Sequence, residues 1–254
     1  MTKPLFICLC AIWNHRQEWT ENLMQSFLDQ DYDGPTELYL IDDRPSAALQ
    51  SVTDFPTPDG NYVGYVQHPD RFPFLMAKYD FGVNHAYVKH EDADSVYVCV
   101  MDDDDIYLPH FLSDHAAILA DHPWSYPSKV YSSYGGQFRT EDSGGRFWAS
   151  SAYRLSALNA IGGYGDCVLP FFDQQFLARM RAQYGDTVHG PERPGYVYNW
   201  DLTLDDHTSG YMGASDDSWY KNTPPSVPTG PLVPRYCDKA QHVLEMYRVF
   251  RGGV

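Results

Sequence analysis

VYVCVMDDDDIYLP, Val96 to Pro109, is the stretch on which the fold of this chain turns. Six residues of strand-forming sequence run straight into four consecutive aspartates. Like charges a few ångströms apart repel, and the repulsion grows as solvent is displaced. Four carboxylates at the end of a buried strand therefore need something to offset them. Oxygen-only donors at such a place suit a hard divalent cation, Mg²⁺ or Mn²⁺. Mg²⁺ takes one or two protein carboxylates and fills its other positions with water and substrate phosphates, so a bound diphosphate sharing the ion would help too. Side chains alternate in direction along an extended chain, so not all four aspartates can hold one ion. The alternative is a solvated acidic loop in which an Asp caps a helix beginning beyond Leu108-Pro109. The buried strand in front of the aspartates favours the metal.

Working outward, Leu5 to Ile12 is a continuous apolar run, the pattern of a strand covered on both faces. In the segment that follows, Trp19, Leu23 and Phe27 form one helical stripe. Asp33-Gly34-Pro35 makes a turn, and Glu37 to Ile41 makes a second short strand ending at Asp42-Asp43. Strand, helix, strand in so short a span is a βαβ unit and implies a parallel sheet. Further strands are expected at Tyr62 to Gln67, Ser95 to Met101 and Tyr196 to Leu202, with Val130 to Arg139 and Gly145 to Tyr153 antiparallel. Helices are expected over Lys78 to Lys89, Pro109 to Asp121, Leu155 to Ile161 (stopped by Gly162-Gly163) and Phe172 to Tyr184. Residues 213–236 are proline-rich and aperiodic, as in a surface crossing or linker. Asp238 is expected to cap a final helix, with Gln241 as its capping-box partner and Ala240, Val243, Tyr247 and Phe250 as its apolar stripe. The first hundred residues are thus α/β and parallel and the next hundred mixed. The aspartates fall where the two parts meet, at the carboxyl end of a strand, the place where open α/β sheets bind ligands.

The totals agree with a compact α/β protein. At 43% hydrophobic residues in a chain of 254, a sizeable core can form. A net charge of −16 disfavours broad contact with nucleic-acid phosphates or an anionic membrane, which need a basic footprint. Cys8, Cys10 and Cys99 lie in expected strands and read as small buried hydrophobes. With no CxxC pair among the 5 cysteines, a reducing compartment and a cytoplasmic location are expected. No signal peptide is read at the N-terminus, and no apolar run approaches the roughly 20 residues needed to span a bilayer.

Three segments, in order, resemble the GT-A fold glycosyltransferases, most closely the large family 2 of inverting enzymes. CLCAIWNHR is similar to their opening strand ending near an Asn, LYLIDDRPS to their Asp pair after the second strand, and VCVMDDDDIYLP to their D-x-D-D and Leu-Pro. The similarity runs from about Pro4 to Gly210. It implies a mostly parallel central sheet flanked by helices, a mixed acceptor half and a C-terminal helical extension. The implied division is one catalytic domain over residues 1–212, with a nucleotide-sugar half (1–105) and an acceptor half (106–212), followed by a crossing and helix over 213–254.

The resemblance also implies roles. Asn14 and Asp42 or Asp43 would contact the donor nucleotide. Asp102 and Asp104 would form the D-x-D pair, Asp104 as direct metal ligand and Asp102 nearer the ribose, with Asp105 a competing candidate. Lys78-Tyr79-Asp80-Phe81-Gly82 resembles a segment that usually carries Arg-Asn-x-Gly; here Lys78 would neutralise a phosphate or stand as a solvated helix lysine. Asp173 would be the catalytic base, or else a helix cap. His207 would be a third metal ligand, tilting the choice towards Mn²⁺, or a surface loop residue. Trp148 and Tyr153 would make a sugar-stacking wall in the acceptor site, or pack the core. The implied reaction moves a sugar from a nucleotide diphosphate sugar, UDP-sugar being the commonest donor in such enzymes, to an acceptor hydroxyl with inversion. A glycan, protein side chain, small molecule, lipid-linked carrier or hydroxylated DNA base all remain as acceptors. A nucleotidyltransferase on a similar core would need a Gly-rich basic loop after the first strand, and AIWNHRQEW has none. A non-catalytic module on the same scaffold would bind nucleotide or glycan without turnover.

Overall fold

The computed structural model describes residues 3–12, 17–43, 55–56, 61–87, 93–134, 137–144, 146–165, 172–187, 189–199 and 233–252. Its centre is a seven-stranded sheet in the order β3-β4-β2-β1-β5-β10-β7. Strands β1 (Leu5–Ala11), β2 (Thr36–Asp42), β4 (Tyr62–Gln67) and β5 (Val96–Val100) are parallel neighbours. The short strands are antiparallel to their neighbours: β3 (Phe55–Pro56) forms one edge, beside β4, and β10 (Ala152–Arg154) lies between β5 and the other edge strand, β7 (Trp124–Ser125). Strands β1 and β5 are continuous apolar runs because the sheet is covered on both faces; Phe6 to Cys10 and Val98 to Cys99 have no exposed surface.

Helix α1 (Gln17–Leu28) joins β1 to β2 and buries Trp19, Leu23 and Phe27, the stripe expected from their spacing. Full burial of one such side chain stabilises the fold by roughly 1.5–3 kcal/mol. Helix α2 (Leu75–Tyr87) starts three residues before the expected Lys78 and lies on β1 and β2. Its close approach depends on Gly82, where a Cβ would stand 2.3 Å from Ile41 Cδ1. Helix α3 is Phe111–Leu119, α4 Leu155–Ala160 and α5 Phe172–Tyr184.

A second, four-stranded sheet runs β6-β11-β8-β9, made of Ile106–Tyr107, Tyr196–Asn199, Lys129–Tyr134 and Gln137–Asp142. Helix α6 (Asp238–Gly252) covers it, with the Tyr247 and Phe250 rings against Tyr131 and Phe138. Glu21 on α1 is buried and receives Arg235 Nε at 2.7 Å and the Val233 N–H at 3.2 Å, tying the chain that enters α6 to the first βαβ unit.

Two local expectations are corrected. The strand expected over Gly145 to Tyr153 is not continuous among the described residues: Trp148–Ser150 is a 3₁₀ turn, and only Ala152–Arg154 pairs, in the main sheet. Asp238 does not cap α6. The Gln241 N–H donates to the Cys237 carbonyl (2.9 Å) and Gln241 Nε2 to the Tyr236 carbonyl (2.8 Å), so Cys237 holds the cap position. Among the described residues, no helix is long and apolar enough to cross a membrane.

Candidate functional site

The aspartate run is the junction between the two sheets. Strand β5 belongs to the large sheet and β6 to the small one, and residues 101–105 link them. The Met101 N–H still pairs with the Leu9 carbonyl at 2.9 Å. The chain then leaves the extended conformation: Asp103 and Asp104 form a turn closed by the Asp105 N–H on the Asp102 carbonyl at 3.4 Å. Aspartate suits such a turn because its short side chain competes for nearby backbone donors.

The turn divides the carboxylates into different environments. Asp102 is half-buried, and its Oδ1 accepts from the Tyr79 hydroxyl of α2 at 2.8 Å. Its backbone N–H donates to the Tyr107 hydroxyl at 2.7 Å. Burial, and then the Asp102 charge, hold the Tyr79 phenol well above its usual value, so it stays a donor. Asp103 and Asp104 are 3% and 6% exposed. Asp105 faces inward, accepting from the Tyr196 hydroxyl and from the Asn199 N–H (3.1 Å), both on β11. Burial raises the Asp105 carboxyl well above the usual carboxylate range, and the charges of Asp104 and Asp102 raise it further. This removes Asp105 as a metal candidate, because both its oxygens serve the joint between the sheets. Among the described residues, no group of three or more His, Cys, Asp and Glu side chains is gathered to hold a metal ion. The chemistry of the Asp102–Asp104 turn is still that of a hard cation's donor set, oxygen throughout.

The Asp pair after β2 lies across β1 from this turn. Both side chains are buried, Asp42 at 0% and Asp43 at 1% exposure. Asp42 accepts from the Tyr65 hydroxyl. Asp43 accepts from Lys78 Nζ at 2.9 Å and from the Phe72 N–H at 3.1 Å. Lys78 also donates to the Ile12 carbonyl at 2.8 Å and has no exposed surface. The expectation that Lys78 meets a phosphate, or is a solvated helix lysine, is therefore corrected. Its charge is matched by Asp43 inside the protein, and it stitches the ends of β1 and β2 to α2.

The two rings expected to line an acceptor site belong to the core. Tyr153 has no exposed surface and packs on Phe176; Trp148 is 6% exposed and meets Tyr79, Tyr164, Phe172 and Phe176 edge-on. Core packing, the other reading of these residues, describes both. Asp173 sits in the first turn of α5, half-buried, with Oδ1 accepting from the Gln174 N–H (2.8 Å) and Oδ2 from Gln174 Nε2 (3.0 Å). Trp148, packed on both Tyr79 and Phe172, lies between the Asp102 contact and the start of α5. Asn14 and His207 lie outside the described residues.

Several residues that shape the site gave no functional signal in the sequence. Tyr79 lies in the segment compared with Arg-Asn-x-Gly but carries no role of its own there, Tyr107 follows the aspartates without one, and Tyr196 and Asn199 lie in an expected strand. Asn199 and Tyr196 are separated from Asp105 by more than ninety positions, so no local spacing could reveal the pairing.

Residues 10–172 of the chain match the family model described as glycosyl transferase family 2. Among solved structures, the crystal structure of S. aureus TarS 1-349 in complex with UDP-GlcNAc aligns with a TM-score of 0.59 and 16% identity, over 99% of this chain and 73% of that one. The crystal structure of S. aureus TarS 1-349 alone aligns at 0.57 with 17% identity, over 78% of this chain and 60% of that one. Mannosyltransferase PcManGT from Pyrobaculum calidifontis, in complex with GDP-Man and Mn²⁺, aligns at 0.51 with 14% identity, over 80% of this chain and 59% of that one. The chain thus spans about 60% of the length of two of these three structures. At such identities the likeness establishes the fold, GT-A, as the sheet order and the flanking helices also indicate. No curated protein matches the chain.

Proposed function

The chain belongs to glycosyl transferase family 2, and from that premise we propose that it transfers a sugar from a nucleotide diphosphate sugar to an acceptor hydroxyl, with inversion at the anomeric carbon. The observation that carries this reading is the Asp102–Asp104 turn at the carboxyl end of β5, with Asp102 oriented by Tyr79. Two solved structures of the same fold, one in complex with UDP-GlcNAc and one with GDP-Man and Mn²⁺, support a nucleotide-sugar donor. UDP-sugar is the first donor to test.

Asp102 and Asp104 are the residues that would hold a divalent cation, Mn²⁺ or Mg²⁺, with His207 as a third ligand that favours Mn²⁺. When bound, such an ion supplies neutralisation of the charge that builds on the leaving diphosphate. The remaining work falls to side chains. Tyr79 fixes the orientation of Asp102 by donating to one of its oxygens. Asn14 and the Asp pair Asp42–Asp43 are the residues that would meet the donor nucleotide, and Asp43 is held by Lys78.

Asp173 takes the proton from the acceptor hydroxyl. The bond from acceptor oxygen to anomeric carbon forms as the bond from that carbon to the diphosphate oxygen breaks, on the opposite face, so one displacement inverts the centre. General-base help of this kind contributes about 10²–10⁴-fold to rate. The free, buried thiols of Cys8, Cys10, Cys99 and Cys237 support a reducing, cytoplasmic setting for this chemistry.

The test is a thermal-shift panel of UDP, GDP, CDP and TDP, each with Mn²⁺, Mg²⁺ or EDTA, on wild type and Asp104→Asn. A ligand at about 100 times its Kd that binds only the folded chain adds roughly 2.7 kcal/mol, a readily visible shift. One nucleotide stabilising only with metal and only with Asp104 present is the expected result. Silence from every nucleotide overturns the reading.

A further inference from the structure

We propose that Asp80 is a positioning residue that sets the acceptor helix against the donor end of the site, through two backbone peptide units that it shares with Arg179. This rests on the glycosyltransferase reading above for its consequence in catalysis, though not for its geometry. Helical residues project about 100° apart, so three consecutive residues of α2 can reach three different parts of the molecule. Lys78 holds Asp43 at the end of β2, and Tyr79 holds Asp102 at the end of β5. Asp80 reaches the other half of the protein. Its Oδ1 accepts from the Tyr164 N–H at 2.7 Å and its Oδ2 from the Gly165 N–H at 2.9 Å.

The carbonyl ends of those same two peptide units, on Gly163 and Tyr164, each accept from Arg179 Nη2 at 2.6 Å. Arg179 lies on α5. Two successive peptides are therefore each held at the N–H end by a carboxylate of α2 and at the C=O end by a guanidinium of α5. Hydrogen bonds to ionised groups are about twice as strong as neutral ones, which makes this a stiff link between the helices. The turn is shaped for it. Gly163 and Gly165 have φ of 75° and 70°, the left-handed region that glycine tolerates. A Cβ at Gly163 would stand 2.5 Å from Asp80 Oδ1, and one at Gly165 would stand 2.3 Å from Arg179 Nη1. Side chains are thus excluded on both flanks by the two groups that grip the turn.

Asp173 is six residues before Arg179 on the same helix, roughly 9 Å along its axis. The tilt of α5, and with it the place of the Asp173 carboxylate, is referred through Arg179, the turn and Asp80 to the helix that also orients Asp102. Tyr164 adds a second contact along this path, its ring packing on Tyr79, Trp148 and Phe176. A shift of about 1 Å in a reacting group costs about 10²-fold in rate, so loosening this link should be felt in turnover before it is felt in donor binding.

The experiment compares full-length wild type, Asp80→Ala, Asp80→Asn and Arg179→Met by amide hydrogen exchange, by UDP–Mn²⁺ titration and by turnover of UDP-GlcNAc with water as acceptor. The expected result for Asp80→Ala is exchange at least 10-fold faster in residues 163–165 and in the first turns of α5, with β5 unchanged. Its UDP Kd and donor KM should stay within about 2-fold of wild type while kcat falls about 10- to 100-fold. Asp80→Asn, which keeps one acceptor oxygen and folds with less disturbance, should recover part of the loss. Arg179→Met should match Asp80→Ala, and the double variant should be no worse than either single one, because both cut one link. Faster exchange confined to residues 163–165, with α5 unaffected, overturns the proposal, as does unchanged kcat in an enzyme whose α5 has loosened. If wild type neither binds UDP nor turns over the donor, the donor assignment fails, and the exchange pattern still decides whether Asp80 holds α5.

Discussion

Asp43 and Lys78 form an ion pair enclosed by the protein, with Nζ 2.9 Å from Oδ1 and side chains 2% and 0% exposed. Removing one member of such a pair leaves the other as an uncompensated buried charge and costs about 3–5 kcal/mol, whereas removing both is often close to neutral. Lys78→Met should therefore lose about 3–5 kcal/mol in urea unfolding, and Asp43→Asn combined with Lys78→Met should recover most of it. The asparagine can still accept from the Phe72 N–H. Equal stability of Lys78→Met and wild type would mean the pair is solvated and Lys78 is available to a phosphate after all.

Asp105 should respond to pH in the sense opposite to an ordinary paired carboxylate. Burial, then Asp104 and Asp102, raise its carboxyl in the fold, so the folded chain holds this proton more tightly than the unfolded one. The stabilising contribution is whole below the unfolded value near 4 and is lost as pH rises through the folded value. Asp105→Asn removes the charge while keeping an oxygen for β11. In EDTA it should melt above wild type at pH 7, and the gap should close as pH falls towards 4. A lower melting temperature at pH 7 would show that the bonds from Tyr196 and Asn199 need the charge.

What the sequence disclosed about the fold follows from how local each feature is. The strands β1, β2 and β5 were legible because each is an apolar run ended abruptly by polar residues, and the α4 stop because Gly162 and Gly163 take φ of 80° and 75°. Trp148 to Tyr153 misled because its composition suits a strand. Its serines instead bond local carbonyls, Ser150 Oγ to Phe147 and Ser151 Oγ to Trp148, and so compete with a ladder. At the site, the aspartate turn was legible as charge out of place. The burial of Lys78 was not, since a lysine on a helix reads as solvated until a carboxylate from another element is known to meet it. Nor was the inward turn of Asp105, which depends on β11, far along the chain.

His115 supplies a second pH response, on the acid side of neutrality. It is buried on α3 with Nδ1 2.7 Å from Ser125 Oγ, and burial pushes its pKa down to about 3. The ring is therefore neutral in the fold, while an unfolded chain would protonate it near pH 6.5. Its contribution to stability is full above pH 6.5 and is lost as pH falls from there towards 3, at up to about 1.4 kcal/mol per pH unit. Unfolding free energy should drop by about 2 kcal/mol between pH 7 and pH 5 on this account alone. His115→Gln cannot take up the proton, so subtracting its profile from that of wild type isolates the effect; parallel profiles would mean the imidazole titrates normally.

Asp173 is where binding and chemistry can be separated. Both of its oxygens accept from Gln174, one from the backbone N–H and one from the side-chain amide, so the carboxylate has a fixed direction. A base of that kind should be silent in nucleotide binding and decisive in transfer. Asp173→Asn keeps the size of the group and an acceptor for the Gln174 N–H but cannot take up a proton. Its nucleotide-dependent thermal shift should equal that of wild type, while single-turnover transfer to the acceptor should fall about 10²–10⁴-fold. Gln174→Ala should cost less, since it frees one oxygen and leaves the base in place. Near wild-type transfer by Asp173→Asn would rule the residue out as base. Loss of the nucleotide-dependent shift would instead assign Asp173 to donor binding.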